Sequence, residues 1–325
     1  MTKEIFVVGC ARSGTTLMSS ILMSSREFAE YHAESLIISV CMPKYGDLDT
    51  PERKQAFIND WWASRQGRRS GLSKDDFSEI VESSSSNYFL IHKKLMEKIC
   101  QNQGKVCWSD STPANVFHLK PIFTEFPNCH VLHMIRDGRD VAMSLEKLGW
   151  VSIPLGISHR PLRLWWAGHQ WRFSVNAGHA AKRLSAAENG LTEVRYENLV
   201  CQSREEIARI SANIGIDLSS LFSEDGTLSL KESNSAYGET VTTLSRHSLG
   251  RWKKTLSAQE TKYIEAACSK ELERYGYPTS VGVGTRLLFC LPNIMASAFL
   301  RLKHVLRFHT PLGKKINESL EMEDD

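Results

Sequence analysis

Residues 5–17 read Ile5-Phe6-Val7-Val8-Gly9-Cys10-Ala11-Arg12-Ser13-Gly14-Thr15-Thr16-Leu17. The four apolar residues have the character of a buried strand and the small residues after them break it. From Thr15 to Ser25, Leu17, Ile21 and Leu22 recur at helical spacing. Within this strand, loop and helix, Gly9-x-x-x-x-Gly14-Thr15-Thr16 has the glycine spacing and final threonine of a nucleotide-binding P-loop. Glycines let the backbone close on an anion, and the first amides of the following helix point at it with the helix dipole behind them. A loop built for Mg-dependent γ-phosphoryl transfer has a lysine where this chain has Thr15; the cation here is Arg12. The pattern predicts a site for an anionic group on the 5′ side of a nucleotide. It counts against the alternative enzyme class, an ATP-dependent small-molecule kinase.

The same rhythm continues downstream. Lys105–Trp108 and His130–Ile135 read as buried strands with a helix predicted over Ala114–Phe126 between them. After Ile135, Arg136-Asp137-Gly138-Arg139-Asp140 turns into a helix running through Leu145. Further helices are predicted over Leu164–Leu184 and Ser257–Tyr275, the latter stopped by Gly276 and Pro278, with a short strand at Glu193–Tyr196. The expectation is an α/β, P-loop-like three-layer fold with a central, mainly parallel sheet flanked by helices, binding its ligand at the carboxyl edge of the strands. Two segments, 46–86 and 148–161, read either as lids over an acceptor or as plain surface structure.

Composition narrows the function. With 42% hydrophobic residues in 325, the chain can bury a large core. Its 40 Lys+Arg against 37 Asp+Glu leave a net charge of +3, too weak a bias to suggest a nucleic-acid partner. The eight cysteines contain no C-x-x-C pair, which points to neither zinc nor a disulfide framework and fits a reducing compartment. No signal-peptide pattern precedes Ile5, and the longest apolar stretch, Leu287–Leu300, is interrupted by Pro292, Asn293 and Ser297. A cytoplasmic protein is expected, with no metal required.

The loop Arg12-Ser13-Gly14-Thr15-Thr16-Leu17 resembles the lysine-less 5′-phosphosulfate loop of sulfotransferases that use 3′-phosphoadenosine-5′-phosphosulfate (PAPS). Its arginine makes it similar to the tyrosylprotein and bacterial branches; the classical cytosolic enzymes have lysine there. A second stretch, His133-Met134-Ile135-Arg136 through Ser144, resembles the family's 3′-phosphate signature, an arginine at a strand end and a serine eight positions later. Arginine can fork onto a phosphate and the serine adds a hydroxyl, a pair that selects a nucleotide bearing a 3′-phosphate, which ATP lacks. The resemblance spans about Ile5 to Pro278. It implies PAPS as cofactor, adenosine 3′,5′-bisphosphate (PAP) as product, and a hydroxyl acceptor that is a glycan, lipid, tyrosine or small molecule. Ser13, Gly14, Thr15 and Thr16 are then cofactor-binding residues with Arg12, which also neutralises charge on the transferred and leaving groups.

For the base, the resemblance points to Glu34, with His32 as rival because classical members use histidine. One departure stands out. Many relatives have lysine just before the Thr-Pro of Trp108-Ser109-Asp110-Ser111-Thr112-Pro113, and this chain has Ser111, so the missing charge falls to Arg12 or to a cation from elsewhere. This departure keeps a catalytically silent nucleotide-binding protein among the alternatives. Leu249-Gly250-Arg251-Trp252-Lys253 resembles the family's C-terminal nucleotide-binding stretch, nominating Arg251, Trp252 and Lys253, and Tyr196 stands where relatives have a tyrosine near the nucleotide.

Residues 1–280 are thus expected to form the sulfotransferase domain and 281–325 a helical extension. From Pro292 to His309, Ile294, Met295, Ala298, Leu302, Val305 and Leu306 share one helical face, with Asn293, Ser297, Arg301, His304 and Arg307 on another. Such a helix either packs on the domain, contacts a membrane surface peripherally or meets a partner. The acidic end, Glu318 to Asp325, is expected to fray.

Overall fold

In the computed structural model, which describes residues 2–151, 158–184, 190–223, 227–228, 230, 233–234, 240–241 and 246–309, four strands form the central sheet. They are β1 (Lys3–Gly9), β2 (Cys107–Asp110), β3 (His130–Ile135) and β4 (Leu191–Arg195), all parallel, in the order β2-β1-β3-β4. The chain leaves β1 for one side of the sheet and later returns to its other side as β3. This reversal opens a crevice beyond the carboxyl ends of β1 and β3, where open α/β sheets bind ligands.

The alternation within β1 explains the three layers. Phe6 and Val8 join a core with Ile91, Leu95, Trp108 and Ile122, which come from the helices Tyr88–Asn102 and Leu119–Glu125 and from β2. Ile5 and Val7 face the opposite way, into Leu17, Met18 and Ile21 of the helix Thr15–Ser24 and Ile207 and Ile210 of the helix Ser203–Ile214. A third core joins Ile135 to the helices Gly138–Lys147, Arg160–Ala181 and Ala258–Arg274. This is the predicted α/β architecture with its parallel sheet.

Local departures from the predicted elements have physical causes. The helix predicted over Ala114–Phe126 is split into a 3₁₀ turn over Pro113–His118 and an α-helix over Leu119–Glu125. Pro121, which has no N–H to give to Phe117, is tolerated only in the first turn of the second piece. The strand predicted over Lys105–Trp108 lies two residues later, because β1 pairs it in the register Lys3↔Cys107 through Phe6↔Asp110.

Residues 46–86 pack inward. The helices Pro51–Ala63 and Lys74–Glu82 bury Phe57, Trp61 and Phe77 completely, with the Trp61 and Phe77 rings stacked at 4.1 Å between centroids. The helix Cys290–His309 lies on the body through its polar side. Asn293 accepts from Trp165 Nε1 (3.2 Å), bonds the His169 ring (3.0 Å) and donates to the Ala266 carbonyl (2.7 Å), while Ala296 and Leu300 are buried. Leu291, Ile294, Met295, Leu302 and Val305 face outward. No described helix is long and apolar enough to cross a membrane. The acidic end, 318–325, and residues 152–157 of the 148–161 segment lie outside the described residues. All eight cysteines are unpaired, six of them buried.

Candidate active site

The loop after β1 is forced into shape by its sequence. Gly9 (φ +151°) has no room for a side chain, since a Cβ there would come within 2.6 Å of the Met134 carbonyl oxygen. Gly14 (φ +98°) lies on the ring of Tyr196, where a Cβ would come within 2.4 Å. Arg12 sits between them at φ +73°, a left-handed conformation that costs a non-glycine residue roughly 1–2 kcal/mol. Gly14 opens the helix Thr15–Ser24 without any side-chain cap, and the first turn holds no acid. Uncapped amides at a helix start are the donors an anion needs.

The second motif locks onto this loop. Arg136, at the end of β3, donates from Nη1 to the Arg12 carbonyl (3.1 Å) and from Nη2 to the Ser248 carbonyl (2.6 Å), with its guanidinium 4.4 Å from the Tyr196 ring centroid. Ser144 Oγ accepts from Arg12 Nε at 3.1 Å. Tyr196 holds Ser248 through a hydroxyl–hydroxyl bond of 2.7 Å. Arg12, Gly14, Arg136, Ser144 and Tyr196, dispersed over 185 positions of sequence, are therefore one interlocked cluster. Two buried polar atoms in it have no protein partner: Ser13 Oγ and Arg136 Nε. Burying such groups unpaired costs on the order of 1–3 kcal/mol each, and an anionic ligand would satisfy both. Thr15 is buried at the helix start and Thr16 half-buried.

The stretch 249–253 closes over the same edge by clasping the helix Gly138–Lys147. Asp140 accepts from the amides of Gly250 (2.7 Å) and Trp252 (2.9 Å), and Trp252 Nε1 donates to Asp137 (3.1 Å). Burial pushes the Asp140 carboxyl above its usual pKa even against these bonds and the nearby Arg136 charge. Arg139 lies 4.0 Å from the Trp252 ring centroid, so this tryptophan braces the wall, while Arg251 and Lys253 are exposed.

Glu34 and His32 separate. A cavity of ≈ 360 Å³ beside the loop is lined by Gly9, Cys10, Ala11, Glu34 and Trp150 among others, and His32 is not part of it. His32 Nε2 instead lies 3.7 Å from Glu30, with the His32 carbonyl held by Arg69 at 2.7 Å. No residue of 46–86 lines the cavity. That segment instead supports the loop carrying Glu34, for Trp61 Nε1 donates to the Ser35 carbonyl at 2.9 Å.

Sequence reasoning missed the residue that anchors Glu34. Asp110, buried at the end of β2, accepts from Ser35 Oγ (2.7 Å), Thr112 Oγ1 (2.6 Å), the Thr112 amide (3.0 Å) and Asn115 Nδ2 (3.1 Å), and bonds His92 Nε2 (2.8 Å). Burial pushes its carboxyl up, but the bonds from His92, Thr112 and Ser35 outweigh that and hold it below the usual range. The available signal was an acid at a strand's carboxyl end in Trp108-Ser109-Asp110-Ser111-Thr112. Ser111, half-buried, follows directly.

Compared with known proteins, residues 4–220 match the model of a family described as the sulfotransferase family. The chain belongs to the sulfotransferase family. Two solved structures share the fold. The sulfotransferase domain from the curacin biosynthetic pathway is 14% identical, with a TM-score of 0.54 over 86% of this chain and 99% of that one. The sulfotransferase domain of the olefin synthase from Synechococcus PCC 7002 is 15% identical, with a TM-score of 0.50 over 82% and 94%. No curated protein matches by sequence. In this sulfotransferase the glycine-rich loop after β1 and Arg136 both lie at the carboxyl edge of the sheet.

Proposed function

We propose that this sulfotransferase takes its sulfuryl group from PAPS and delivers it to the hydroxyl of an acceptor held in the cavity beside the loop. The observation that carries the reading is the cluster of Arg12, Arg136 and Ser144 around the unpartnered Ser13 Oγ and Arg136 Nε. Ser13, Gly14, Thr15 and Thr16 would hold the 5′ side through backbone amides and hydroxyls. Arg136 and Ser144 would hold the 3′-phosphate, with Tyr196 bracing Arg136 from below and 249–253 forming the outer wall. When bound, the donor supplies the sulfuryl group and departs as PAP.

Arg12 acts by charge and hydrogen bonding, because a guanidinium keeps its proton. Glu34 accepts the acceptor's hydroxyl proton; it lines the cavity and His32 does not. Glu34→Gln then abolishes most turnover with PAP affinity intact, and His32→Ala leaves substantial activity; the reverse pattern transfers the role to His32. The reading as a whole is tested by calorimetry with PAP and with ATP. Tighter, Mg-dependent binding of ATP overturns it.

Residues 1–280 serve as the catalytic domain in this reading and 281–325 as an extension. The eight free thiols support a reducing, cytoplasmic setting. The outward apolar face of residues 292–309 supports peripheral contact with lipid. Cosedimentation with phosphatidylserine vesicles, lost in Leu302→Glu, tests that contact.

A further inference from the structure

The helix Cys290–His309 turns Leu300, Lys303, His304 and Arg307 into the cavity that also holds Glu34. The rest of the wall is largely apolar, with Leu145, Trp150, Phe117 and Phe173, and His304 lies 5.4 Å from the Phe117 ring. Among the charged groups of this lining, Glu34 is the one acid against two cations, Lys303 and Arg307. The Arg307 guanidinium donates to the Ser39 carbonyl at 3.3 Å. Lys303 makes no hydrogen bond or ion pair with another described residue, although it is partly buried.

Burial, with the neighbouring Arg307 charge, holds the Lys303 ammonium below its ordinary pKa, and burial does the same to Arg307. A partly buried ammonium that has no partner of its own is unfavourable unless an anion joins it. A second observation points to a ligand. Ser39, Ser174 and Gln170, residues of the same lining, carry polar atoms with no hydrogen-bond partner, the two serine Oγ and the Gln170 Oε1.

We propose that Lys303, assisted by Arg307, is the specificity determinant for an acceptor that carries a carboxylate as well as its hydroxyl, a small hydroxylated acid with an apolar body. This rests on the acceptor reading given above and adds its chemical class. The size agrees, since ≈ 360 Å³ is at the small end of small-molecule sites. The aromatic wall would take the body and the ammonium the carboxylate.

The test measures binding first, so that it does not depend on sulfuryl transfer. Calorimetry with 10-hydroxydecanoate and its uncharged counterpart 1,10-decanediol should show the acid binding at least about tenfold tighter, the scale of one charge-assisted hydrogen bond. Lys303→Gln should erase that preference and Lys303→Arg should keep it, which separates a lost charge from a lost fold. PAP affinity, measured alongside, should be unchanged in both variants. Equal binding of the two probes, binding of neither, or a preference surviving in Lys303→Gln overturns the proposal. So does a Lys303→Gln enzyme with lower kcat and unaltered affinity for the acid, which would put the ammonium on the transferred group. If the acid binds through Lys303 and no sulfuryl transfer from PAPS occurs, the functional reading fails while the subsite stands.

Discussion

At the scale of single residues, the site is held by side chains that answer to one another. Arg12 occupies a strained backbone conformation and is fixed at both ends, its carbonyl by Arg136 and its Nε by Ser144. Removing its guanidinium should lower turnover about 10²-fold, the scale for losing one preorganised donor at a developing negative charge. Saturating steady-state kinetics checks this; intact kcat with weaker nucleotide binding would make Arg12 a positioning residue only. Arg136→Ala should weaken PAP by about tenfold to a hundredfold and adenosine 5′-phosphosulfate by less, because on the proposed reading Arg136 bonds the extra phosphate as well as holding the Arg12 carbonyl. Equal losses for the two nucleotides would put Arg136 elsewhere on the cofactor. Gly14→Ala should be worse than either for stability, since its Cβ would drive into the Tyr196 ring at a φ that L-residues avoid.

At the scale of elements, Asp110 ties the end of β2 to the loop that carries Glu34, to the helix Tyr88–Asn102 and to the turn at Thr112. Asp110→Asn puts an amide N–H where an acceptor is needed, which should cost about 2–4 kcal/mol and misplace Glu34. A fall in melting temperature with lost turnover and unaltered PAP affinity is expected; unaltered stability would mean that the network is dispensable. This anchor was not legible in the sequence, because its partners Ser35 and His92 lie 75 and 18 residues from Asp110 and no local pattern joins them. The strand, turn and helix start around Gly14 and those around Arg136 were legible because each is local in the sequence. The C-terminal helix was legible as amphipathic, but its docking was not. Hydrophobic periodicity marks the apolar face, whereas Asn293 and the partners it finds on the helices Arg160–Ala181 and Ala258–Arg274 turn the polar face inward.

At the scale of the molecule, titration sets the conditions under which the fold survives. Burial holds His130, His133 and His169 down from 6.5 to about 4, with Lys3 adding to the effect at His130 and Arg172 at His169. Between those values the unfolded chain takes up protons that the folded chain refuses, so stability rises with pH and is lost as pH falls from 6.5 toward 4. Each histidine contributes on the order of 3 kcal/mol over that window. Asp110 acts in the same direction lower down, its contribution being present above the unfolded carboxylate pKa of about 3.9 and lost as pH falls through its depressed folded value. Urea unfolding from pH 7 to 4.5 should show a falling midpoint; a flat profile would contradict it.

The distribution of thiols has a practical consequence. Burial pushes Cys10, Cys100 and Cys129 up to about 12 and Cys107 to about 11, so these thiols are neither ionised nor exposed at neutral pH. Cys201 and Cys290 are exposed, and Cys290 is the first residue of the C-terminal helix. A maleimide dye therefore reaches two positions in the native chain and eight in the unfolded one. With Cys201 replaced by serine, the remaining dye becomes a single fluorescent reporter on the helix that lines the cavity beside the loop.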